Sequence, residues 1–371
     1  MKNKQMINQN FQHPLFGISI GTWIKLLNEN GGVDKKYMYK AVFITLSSIF
    51  LIPMRVIFKL KYQNKINNLK IRMPPIIIIG HWRSGTTYLH ELLCQDLQFC
   101  YVSLWNTLLP DSYLILKPFK MFLSKFLPKQ RPMDSIEVEI DGPYEEEAGI
   151  AVLSQWSFFH CLHFPKNAEE QYKKSIHFQG LSEEEKTQWK KNYQYFMKSV
   201  VFSNQGKRLL LKDPANTGRI SFLLDIFPDA KFIHIYRNPY KVYFSTIKMR
   251  NKVLDKLALQ NSNREEIEKQ VIENYKRLMK SFFDNKDKIP RKNFVEISYE
   301  NLVKDPLKEI EIIYSKLDLP DFKNALPQMK RYLERKKDYK TNVYNIKKGI
   351  LNHVYDNWKF TIDLWDYKPP K

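Results

Sequence analysis

One stretch constrains the fold more than any other: Pro74–Thr87, which reads PPIIIIGHWRSGTT. Four consecutive isoleucines make a strand apolar on both faces, which is typical of a strand buried inside a parallel sheet. Two glycines five positions apart, Gly80 and Gly85, follow at once, and leucines at helical spacing come after them. A strand, a glycine-bounded loop and a helix in this order predict an α/β fold.

The rest of the chain repeats this alternation. Apolar runs predict strands at Arg208–Asp213, Ala230–Arg237 and Asn293–Glu300, and a helical pattern follows each of them. Strands that alternate with helices favour a parallel sheet with helices on both faces. We find no internal repeat and no linker clear enough to divide the chain. The pattern therefore predicts one large α/β sheet flanked by helices.

The loop Gly80–Thr87 has the composition of a phosphate site. Its glycines let successive backbone N–H groups point at one anion, and the following helix N-terminus adds positive potential. In nucleoside-triphosphate enzymes a lysine follows the second glycine, and a Ser or Thr then holds magnesium. Here Thr86 replaces that lysine, and the cation comes earlier, at Arg83. The loop favours a single phosphate or phosphosulfate; on its own it also fits a purely structural turn.

A second motif, FIHIYRNPYKVYFS, makes the phosphate interpretation stronger. It places Arg237 at the end of a buried strand and Ser245 in the next helix, which Pro239 opens. An arginine offers a planar fork of donors to phosphate, and a serine hydroxyl can donate to another oxygen. Taken alone, each residue also has a structural explanation as a strand cap or a helix serine. Together with the loop, they predict a second phosphate site for the same ligand.

Charge and cysteine content limit the class of protein. The hydrophobic fraction of 43% indicates a folded protein. The formal net charge of +21 indicates anionic partners, although the base composition of an AT-rich genome would also explain it. No nucleic-acid module is present, so we expect no nucleic acid as partner. The three cysteines, Cys94, Cys100 and Cys161, cannot form a complete disulfide framework. Reduced thiols suit a cytoplasmic protein, with membrane association left open.

The N-terminal residues 1–73 predict a helical extension. Within it, Ala41–Phe58 is apolar enough to consider for a membrane, although its length is borderline and it carries Pro53 and Arg55. Lysines flank the segment on both sides. We expect a buried or interfacial helix with peripheral membrane contact in preference to a true span.

These motifs resemble those of the sulfotransferases. GHWRSGTT is similar to their 5′-phosphosulfate loop, and YRNPYKVYFS is similar to their 3′-phosphate motif. Four further segments, similar to the bacterial-type branch, follow in the expected order: RPMDSIEVEIDGPYEEEAGI, LLLKDPANTGRISFLLDIFPDAKFIHIYRNP, SYENLVKDPLKEIE and YDNWKFTIDLWDY. The resemblance runs from about Pro74 to Tyr367. It implies a P-loop-NTPase-like fold and metal-independent transfer of a sulfuryl group from 3′-phosphoadenosine 5′-phosphosulfate (PAPS) to a hydroxyl or amine.

The resemblance also implies which residues hold the donor. Those at its 5′ end would be Arg83, Ser84, Gly85, Thr86 and Thr87, and those at its 3′-phosphate would be Arg237 and Ser245. Two features depart from the steroid and phenol sulfotransferases. Those enzymes have lysine where Arg83 stands, and their C-terminal Arg-Lys-Gly loop is matched only by Lys347-Lys348-Gly349, which we expect to lead into a helix.

Catalysis by such an enzyme needs cations at the leaving oxygen and a base for the acceptor. Arg83 and Lys212, at the end of a predicted strand, are the candidates for the leaving oxygen. Glu145 leads the candidates for the base, with Glu147 second; dipole-matching acids in a first helical turn are the alternative. His160 and His163 compete as bases, but their aromatic setting favours packed histidines. His81 is expected to line the donor pocket and His90 to lie on the helix face.

We therefore predict an N-terminal extension at 1–73 and an α/β sulfotransferase domain at 74–371. A cap insertion at about 97–191 would supply the acceptor pocket for a small molecule, a lipid or a glycan. Two other interpretations remain: a P-loop nucleotide kinase or NTPase, with Asp213 as the nearest magnesium ligand, and a basic protein that binds membrane surfaces. The acceptor and the oligomeric state are not predicted.

Overall fold

The structure is a computed structural model that describes residues 13–125, 127–128, 130, 137–337 and 348–370. Three predicted segments are only partly described: outside the described residues lie 1–12 of the N-terminal extension, 126, 129 and 131–136 of the cap insertion, and Lys347 of the C-terminal Lys-Lys-Gly match. The chain divides into two compact units. Unit 1 contains residues up to Arg72 together with Tyr101–Gly206 and Arg250–Asn263, and unit 2 contains the remainder.

In its described part the structure contains five strands and seventeen α-helices. The strands are β1 (Ile76–Ile79), β2 (Phe99–Cys100), β3 (Arg208–Lys212), β4 (Lys231–Tyr236) and β5 (Phe294–Ser298). The helices are α1 (Ile20–Glu29), α2 (Met38–Phe50), α3 (Ile52–Asn67), α4 (Thr86–Leu93), α5 (Leu104–Leu108), α6 (Lys120–Ser124), α7 (Glu146–Leu153), α8 (His160–His163), α9 (Ala168–Ile176), α10 (Glu183–Ser203), α11 (Ile220–Ile226), α12 (Pro239–Leu257), α13 (Arg264–Asn285), α14 (Tyr299–Lys304), α15 (Pro306–Lys316), α16 (Phe322–Arg335) and α17 (Lys348–Leu364).

The sheet of unit 2 is parallel throughout, with strand order β2-β3-β1-β4-β5. All four isoleucines of β1 are fully buried, as a central strand between two neighbours requires. At the centre of the sheet, Ile78 pairs with Lys212 of β3 and Ile79 with His234 of β4. The chain therefore moves to opposite sides of β1, and the carboxyl end of β1 is the switch point where such sheets bind ligands.

The predicted strands and the parallel α/β class are confirmed. The predicted strands at 208–213, 230–237 and 293–300 contain β3, β4 and β5, and the isoleucine run is β1. The two-residue strand β2 was not predicted, because two residues are too short for a periodic pattern to appear. The helix predicted to start at Pro239 is α12.

Unit 1 is helical and has two apolar clusters. In one, Trp23 of α1 and Ile44 of α2 pack with Phe164; in the other, Phe58 of α3 packs with Trp105. The N-terminal helices and residues 101–206 thus belong to one compact unit. The predicted division at 73 and 74 cuts the chain differently and stays a prediction.

The apolar segment Ala41–Phe58 is not one helix. It is split between α2 and α3, which meet at Leu51 with a bend of 42°. Pro53 lies in the first turn of α3, where proline fits a helix start and cannot continue the previous helix. Within the described residues no single helix is long and apolar enough to cross a membrane; residues 35–50 and 52–67 reach that length and apolarity only together.

Candidate active site

The loop between β1 and α4 has the backbone of a tight anion-binding turn. Gly80, Arg83 and Gly85 have φ values of 147°, 70° and 100°. A Cβ on Gly85 would lie 2.2 Å from the Tyr299 ring, and one on Gly80 would lie 2.3 Å from the carbonyl oxygen of Ile235. Glycine is therefore required at both ends of the loop. Arg83 holds a conformation that costs a non-glycine residue free energy, which is common at functional sites.

Hydrogen bonds within unit 2 fix this loop. The Gly80 N–H donates to Oγ1 of Thr217 at 2.8 Å, and the Thr217 hydroxyl donates back to the Gly80 carbonyl at 3.1 Å. The Ser84 hydroxyl donates to the His81 carbonyl at 2.7 Å, so this predicted donor-binding side chain also closes the turn. The backbone of the loop is thus held in place before any ligand arrives.

The two predicted phosphate motifs meet in unit 2. Nε of Arg83 donates to Oγ of Ser245 on α12 at 2.9 Å. A terminal nitrogen of Arg237 donates to the Arg83 carbonyl at 3.1 Å. The loop after β1 and the turn after β4 therefore form one cationic site, as neighbouring strands of a parallel sheet allow. Two arginines joined in this way favour a ligand with several negative charges.

Arg237 carries a donor that the described residues do not satisfy. Its Nε is buried and has no hydrogen-bond partner among them, and Oγ1 of Thr246, next to Ser245, is in the same state. A buried polar atom without a partner costs about 1–3 kcal/mol, so such atoms call for an explanation. The guanidinium also lies 4.2 Å from the centre of the Tyr299 ring. This arrangement suits a phosphate at Arg237.

Lys212, at the carboxyl end of β3, turns inward. Only 2% of its surface is exposed, and its Nζ donates to Oγ1 of Thr87 at 3.4 Å. Thr86 and Thr87 form the first turn of α4, where backbone N–H groups point out of the helix. The structure thus places a buried ammonium beside the helix N-terminus, and the alternative of a lysine that leaves the strand into solvent is wrong.

The histidines beside the loop are weak bases. Burial lowers the pKa of His81 to about 4, and its Nδ1–H donates to the Trp82 carbonyl at 2.8 Å. Burial, with the Lys212 charge adding to it, lowers the pKa of His90 to about 3. Both rings are neutral near pH 7. The ring of His81 lies 4.9 Å from that of Tyr275.

The acidic cluster Glu145–Glu147 belongs to unit 1 and begins α7, as predicted. Glu145 caps the helix and is half-buried, whereas Glu146 and Glu147 are fully buried. Glu146 accepts a hydrogen bond from the Tyr193 hydroxyl at 3.1 Å, and Glu147 accepts one from the Phe158 N–H at 2.6 Å. The cluster is therefore not a row of surface acids, and Glu145 is the least buried residue of the three.

The competing bases His160 and His163 are packed inside unit 1. Both are fully buried, and their Nδ1 atoms are 3.3 Å apart. Burial lowers the pKa of His160 to about 4 and lowers that of His163 as well. The expectation of packed histidines is confirmed.

Two residues of the site were missed in the sequence. Thr217 holds Gly80, and Tyr299 lies against both Gly85 and Arg237. Its neighbour Glu300 accepts hydrogen bonds from the Asn238 N–H at 3.2 Å and the Tyr367 hydroxyl at 2.5 Å. No local pattern marks these residues, because each acts on parts of the chain far away in sequence.

The C-terminal match to a phosphate loop is only partly described. Lys348 and Gly349 form the start of α17, so the stretch does lead into a helix. Lys347 is outside the described residues.

Two aspartates of unit 2 have capping roles. Asp305 accepts a hydrogen bond from the Lys308 N–H at 3.2 Å, and Asp213 accepts one from the Ala215 N–H at 2.8 Å. Both have the capping roles that Asp commonly fills at turns and helix starts.

Comparisons with known proteins agree with this geometry. A family model described as "Sulfotransferase family" matches residues 74–324, which is more than half of the chain. A curated relative from Mycobacterium bovis, named omega-hydroxy-beta-dihydromenaquinone-9 sulfotransferase Stf3, is 31% identical over 352 residues, covering 95% of this chain and 90% of the relative. A protein of the same name from Mycobacterium tuberculosis matches equally well.

Two solved structures support the fold. The sulfotransferase STF9 from Mycobacterium avium matches with a TM-score of 0.69 and 15% identity, covering 95% of this chain and 97% of that structure. The sulfotransferase STF1 from Mycobacterium tuberculosis H37Rv matches with a TM-score of 0.66 and 16% identity, covering 95% and 92%. The parallel sheet, the glycine loop and the family match lead to one conclusion: the chain belongs to the sulfotransferase family and is a sulfotransferase.

Proposed function

We propose that this enzyme transfers a sulfuryl group from PAPS to a hydroxyl group of a lipid-like acceptor. One observation carries the choice of donor. Arg83 and Ser245 are joined by a hydrogen bond, and Arg237 beside them keeps a buried donor without a partner among the described residues. A ligand with phosphates at both its 3′ and 5′ positions can bind both arginines, whereas a ligand with a single phosphate would leave one of them without an anion.

The residues of unit 2 fit this donor. Its 5′ end would be held by the N-terminus of α4 and by Arg83, Ser84, Gly85, Thr86 and Thr87, and its 3′-phosphate by Arg237 and Ser245. PAPS supplies a sulfuryl group already activated by attachment to its 5′-phosphate. Magnesium is not needed in this proposal, since the cations come from the chain.

The chemical step is a displacement at sulfur. A bond forms between the acceptor oxygen and sulfur, and the bond from sulfur to the 5′-phosphate oxygen breaks. Arg83 and Lys212 stabilise the negative charge that develops on the departing oxygen. The proton of the acceptor hydroxyl passes to a carboxylate, for which Glu145 is our first assignment and Glu147 the second. Because Glu145 is half-buried whereas Glu147 is fully buried, Glu145 is the more accessible of the two and is our first choice.

We place the acceptor among long apolar molecules with a hydroxyl group. The support is the name of the mycobacterial relatives, which gives an omega-hydroxylated dihydromenaquinone as their acceptor. Such a molecule resides in a bilayer, so we propose a cytoplasmic enzyme with peripheral membrane contact through residues 41–58. Glycans and small soluble hydroxyl compounds are secondary acceptors to test.

Turnover with matched acceptors tests this proposal. The full chain is incubated with PAPS and an omega-hydroxylated menaquinone in mixed micelles, and the formation of adenosine 3′,5′-bisphosphate is measured. The control is the same quinone without the hydroxyl. We expect product only with the hydroxylated quinone and a loss of at least 100-fold with Glu145→Gln. Equal product from both quinones would remove the acceptor hydroxyl from the reaction, and full activity in Glu145→Gln would remove Glu145 as base.

A further inference from the structure

Helices α2 and α3 expose apolar side chains to solvent. A surface helix normally turns polar residues to solvent. Here six apolar side chains at helical spacing are each at least half exposed, and we call them the apolar face: Val42, Leu46, Ile49, Phe50, Val56 and Leu60. Leu46, Phe50 and Leu60 reach 62%, 78% and 82% exposure. A group of exposed apolar side chains of this kind on two consecutive helices indicates an interaction site.

The opposite side of the same two helices is fixed to unit 1. Ile44 and Phe58 are buried in its two apolar clusters. Lys40 donates to the carbonyls of Lys256 at 2.6 Å and Ala258 at 3.1 Å. Since one side of each helix is part of the core, the pair cannot leave the unit to cross a bilayer without unfolding it. The apolar face can therefore enter a bilayer only with the two helices lying along its surface.

Two basic residues, Lys40 just before Ala41–Phe58 and Arg55 within it, do not interrupt the apolar face. Lys40 is 8% exposed and is held by the two carbonyls. The side chain of Arg55 is 14% exposed and donates to Asp111 at 2.8 Å and to the carbonyls of Gly17 and Ile18. Both charges therefore point into the protein. The cost of bringing a cation into an apolar medium, which argued against this segment in the sequence, does not apply to the exposed side.

Lysines surround the apolar face. Lys35 and Lys36 precede α2, and Lys59, Lys61 and Lys65 lie on α3; all five are exposed. No Asp or Glu occurs from residue 35 to residue 90. The preceding acid, Asp34, is 2.6 Å from Lys166. The surroundings of the face are thus strongly positive, which complements an anionic lipid surface at about 1 kcal/mol per lysine.

The positive charge around the apolar face also favours one of its two possible partners, a bilayer, over the other, a second copy of the chain. A second copy of the chain would bring its own lysines against these, in a protein of net charge +21, and like charges disfavour that contact. An anionic bilayer accepts both the apolar side chains and the lysines, as interfacial helices do when their apolar side enters about 5–10 Å below the headgroups.

We propose that the apolar face of α2 and α3, with its surrounding lysines, is an interfacial anchor that attaches the enzyme to anionic bilayers. The inference deepens the proposed function, because it states where the enzyme meets a lipid acceptor. It rests on the described contacts of unit 1 and needs neither donor nor acceptor. Its failure in a binding assay would leave the transfer reaction untouched.

Vesicle co-sedimentation of the full chain tests the anchor. One set of vesicles contains phosphatidylcholine alone, and the other contains phosphatidylcholine with phosphatidylglycerol. We expect binding to the anionic set and at least 10-fold weaker binding for Leu46→Gln/Leu60→Gln. The matched control is Leu97→Gln, since Leu97 is 68% exposed but lies in unit 2. It is expected to bind like the unchanged protein, and unchanged melting temperatures show that the variants fold.

The lysines are tested separately. Lys59→Gln/Lys61→Gln is expected to weaken binding several-fold and to flatten its salt dependence, whereas Lys323→Gln/Lys330→Gln on α16 leaves both unchanged. Loss of all binding on washing with high salt would overturn the insertion of the apolar face. Absence of binding to either vesicle set would overturn the anchor. A dimer in solution that Leu46→Gln/Leu60→Gln converts to monomers would show that a second copy occupies the face.

Discussion

The phosphate loop of unit 2 and the apolar face of unit 1 depart from ordinary protein surfaces in opposite ways. Around the loop, charged and polar groups are buried: Lys212 is 2% exposed, and Nε of Arg237 has no partner among the described residues. On α2 and α3, apolar groups are exposed, with Leu60 at 82%. Neither arrangement is the most stable one for an isolated chain.

The comparison shows what each region lacks. A buried cation is stabilised by an anion, and an exposed leucine is stabilised by an apolar medium, so the two departures indicate different partners. In our two proposals, phosphate groups complete the loop and a bilayer completes the apolar face. The expected effects of substitution differ accordingly: changes near the loop should alter donor binding and rate, and changes on the face should alter bilayer binding and leave donor binding unchanged.

The largest effect is expected at Arg83. Arg83→Ala removes the cation that we place at the departing oxygen, so kcat should fall by about 100- to 1000-fold. Arg83→Lys keeps a charge and should lose less. The measurement is steady-state turnover with PAPS, and the thermal midpoint serves as the control for folding. A kcat within threefold of the unchanged protein would remove Arg83 from the chemistry.

The next effect is expected at Arg237. Its loss removes charge-assisted hydrogen bonds worth about 1.5–3 kcal/mol, so Arg237→Ala should weaken adenosine 3′,5′-bisphosphate by about 10- to 100-fold. AMP lacks the 3′-phosphate, and its affinity should not change. Calorimetric titration of both ligands provides the comparison. Equal losses for the two ligands would mean that Arg237 supports the loop in general and does not read the 3′-phosphate.

The buried histidines of unit 1 predict sensitivity to acid. Burial lowers the pKa of His160 from an ordinary value of 6.5 to about 4, despite the opposing influence of Glu147. Between these values the unfolded chain binds a proton that the folded chain does not. The contribution of neutral His160 to the free energy of unfolding is therefore fully present above pH 6.5. It is lost as the pH falls towards about 4, by up to about 1.4 kcal/mol per pH unit.

Denaturant unfolding at several pH values measures this effect. His160→Gln removes the titrating group while its amide can still donate to the Ser154 carbonyl, so the slope between pH 6.5 and 4 should become shallower. An unchanged slope would assign the acid sensitivity to other groups.

A smaller effect is expected at Tyr299. Its ring lies 4.2 Å from the Arg237 guanidinium, and such cation–π contacts contribute about 0.5–2 kcal/mol. Tyr299→Leu should weaken adenosine 3′,5′-bisphosphate by about 2- to 20-fold, whereas Tyr299→Phe keeps the ring and should bind normally. A loss of equal size in both variants would point to the hydroxyl group in place of the ring.

The smallest effect is expected on the apolar face, and a residue two positions away provides the contrast. Leu46→Ala should change the free energy of unfolding by less than about 0.5 kcal/mol, because Leu46 is 62% exposed. Ile44→Ala on the same helix removes a fully buried side chain and should cost about 2–5 kcal/mol. Similar costs for the two variants would show that the face is packed against protein in solution.

Much of unit 2 could be predicted from the sequence because its signals are local. Four isoleucines before a glycine define β1 and the loop, and the runs at 208–213, 230–237 and 293–300 define three more strands. The proposed phosphate residues Arg83 and Arg237 could be named because they lie in the loops that follow strand ends, and Ser245 because it lies on the helix after the second of these loops. Arg83 and Ser245 are 162 residues apart in the chain, yet the parallel sheet predicts that their strands end at the same edge.

What could not be predicted depends on contacts between distant residues. Thr217 and Tyr299 hold the loop from other elements, and nothing in their own surroundings shows it. The cluster Glu145–Glu147 is one acidic run in sequence, but Tyr193 and Phe158 give its members different surroundings. The inward turn of Lys40 and Arg55 likewise depends on carbonyls elsewhere in unit 1, so hydropathy alone could not show an uninterrupted apolar face.

The central claim is that the loop and the Arg237 turn together bind a ligand with 3′- and 5′-phosphates. The most direct test is the thermal midpoint of the full chain with adenosine 3′,5′-bisphosphate, with AMP and with ATP plus magnesium. A ligand at 100 times its dissociation constant stabilises the native state by about 2.7 kcal/mol. We predict a clear rise with the bisphosphate, lost in Arg237→Ala, and a much smaller one with AMP. A rise with ATP and magnesium alone would contradict this account.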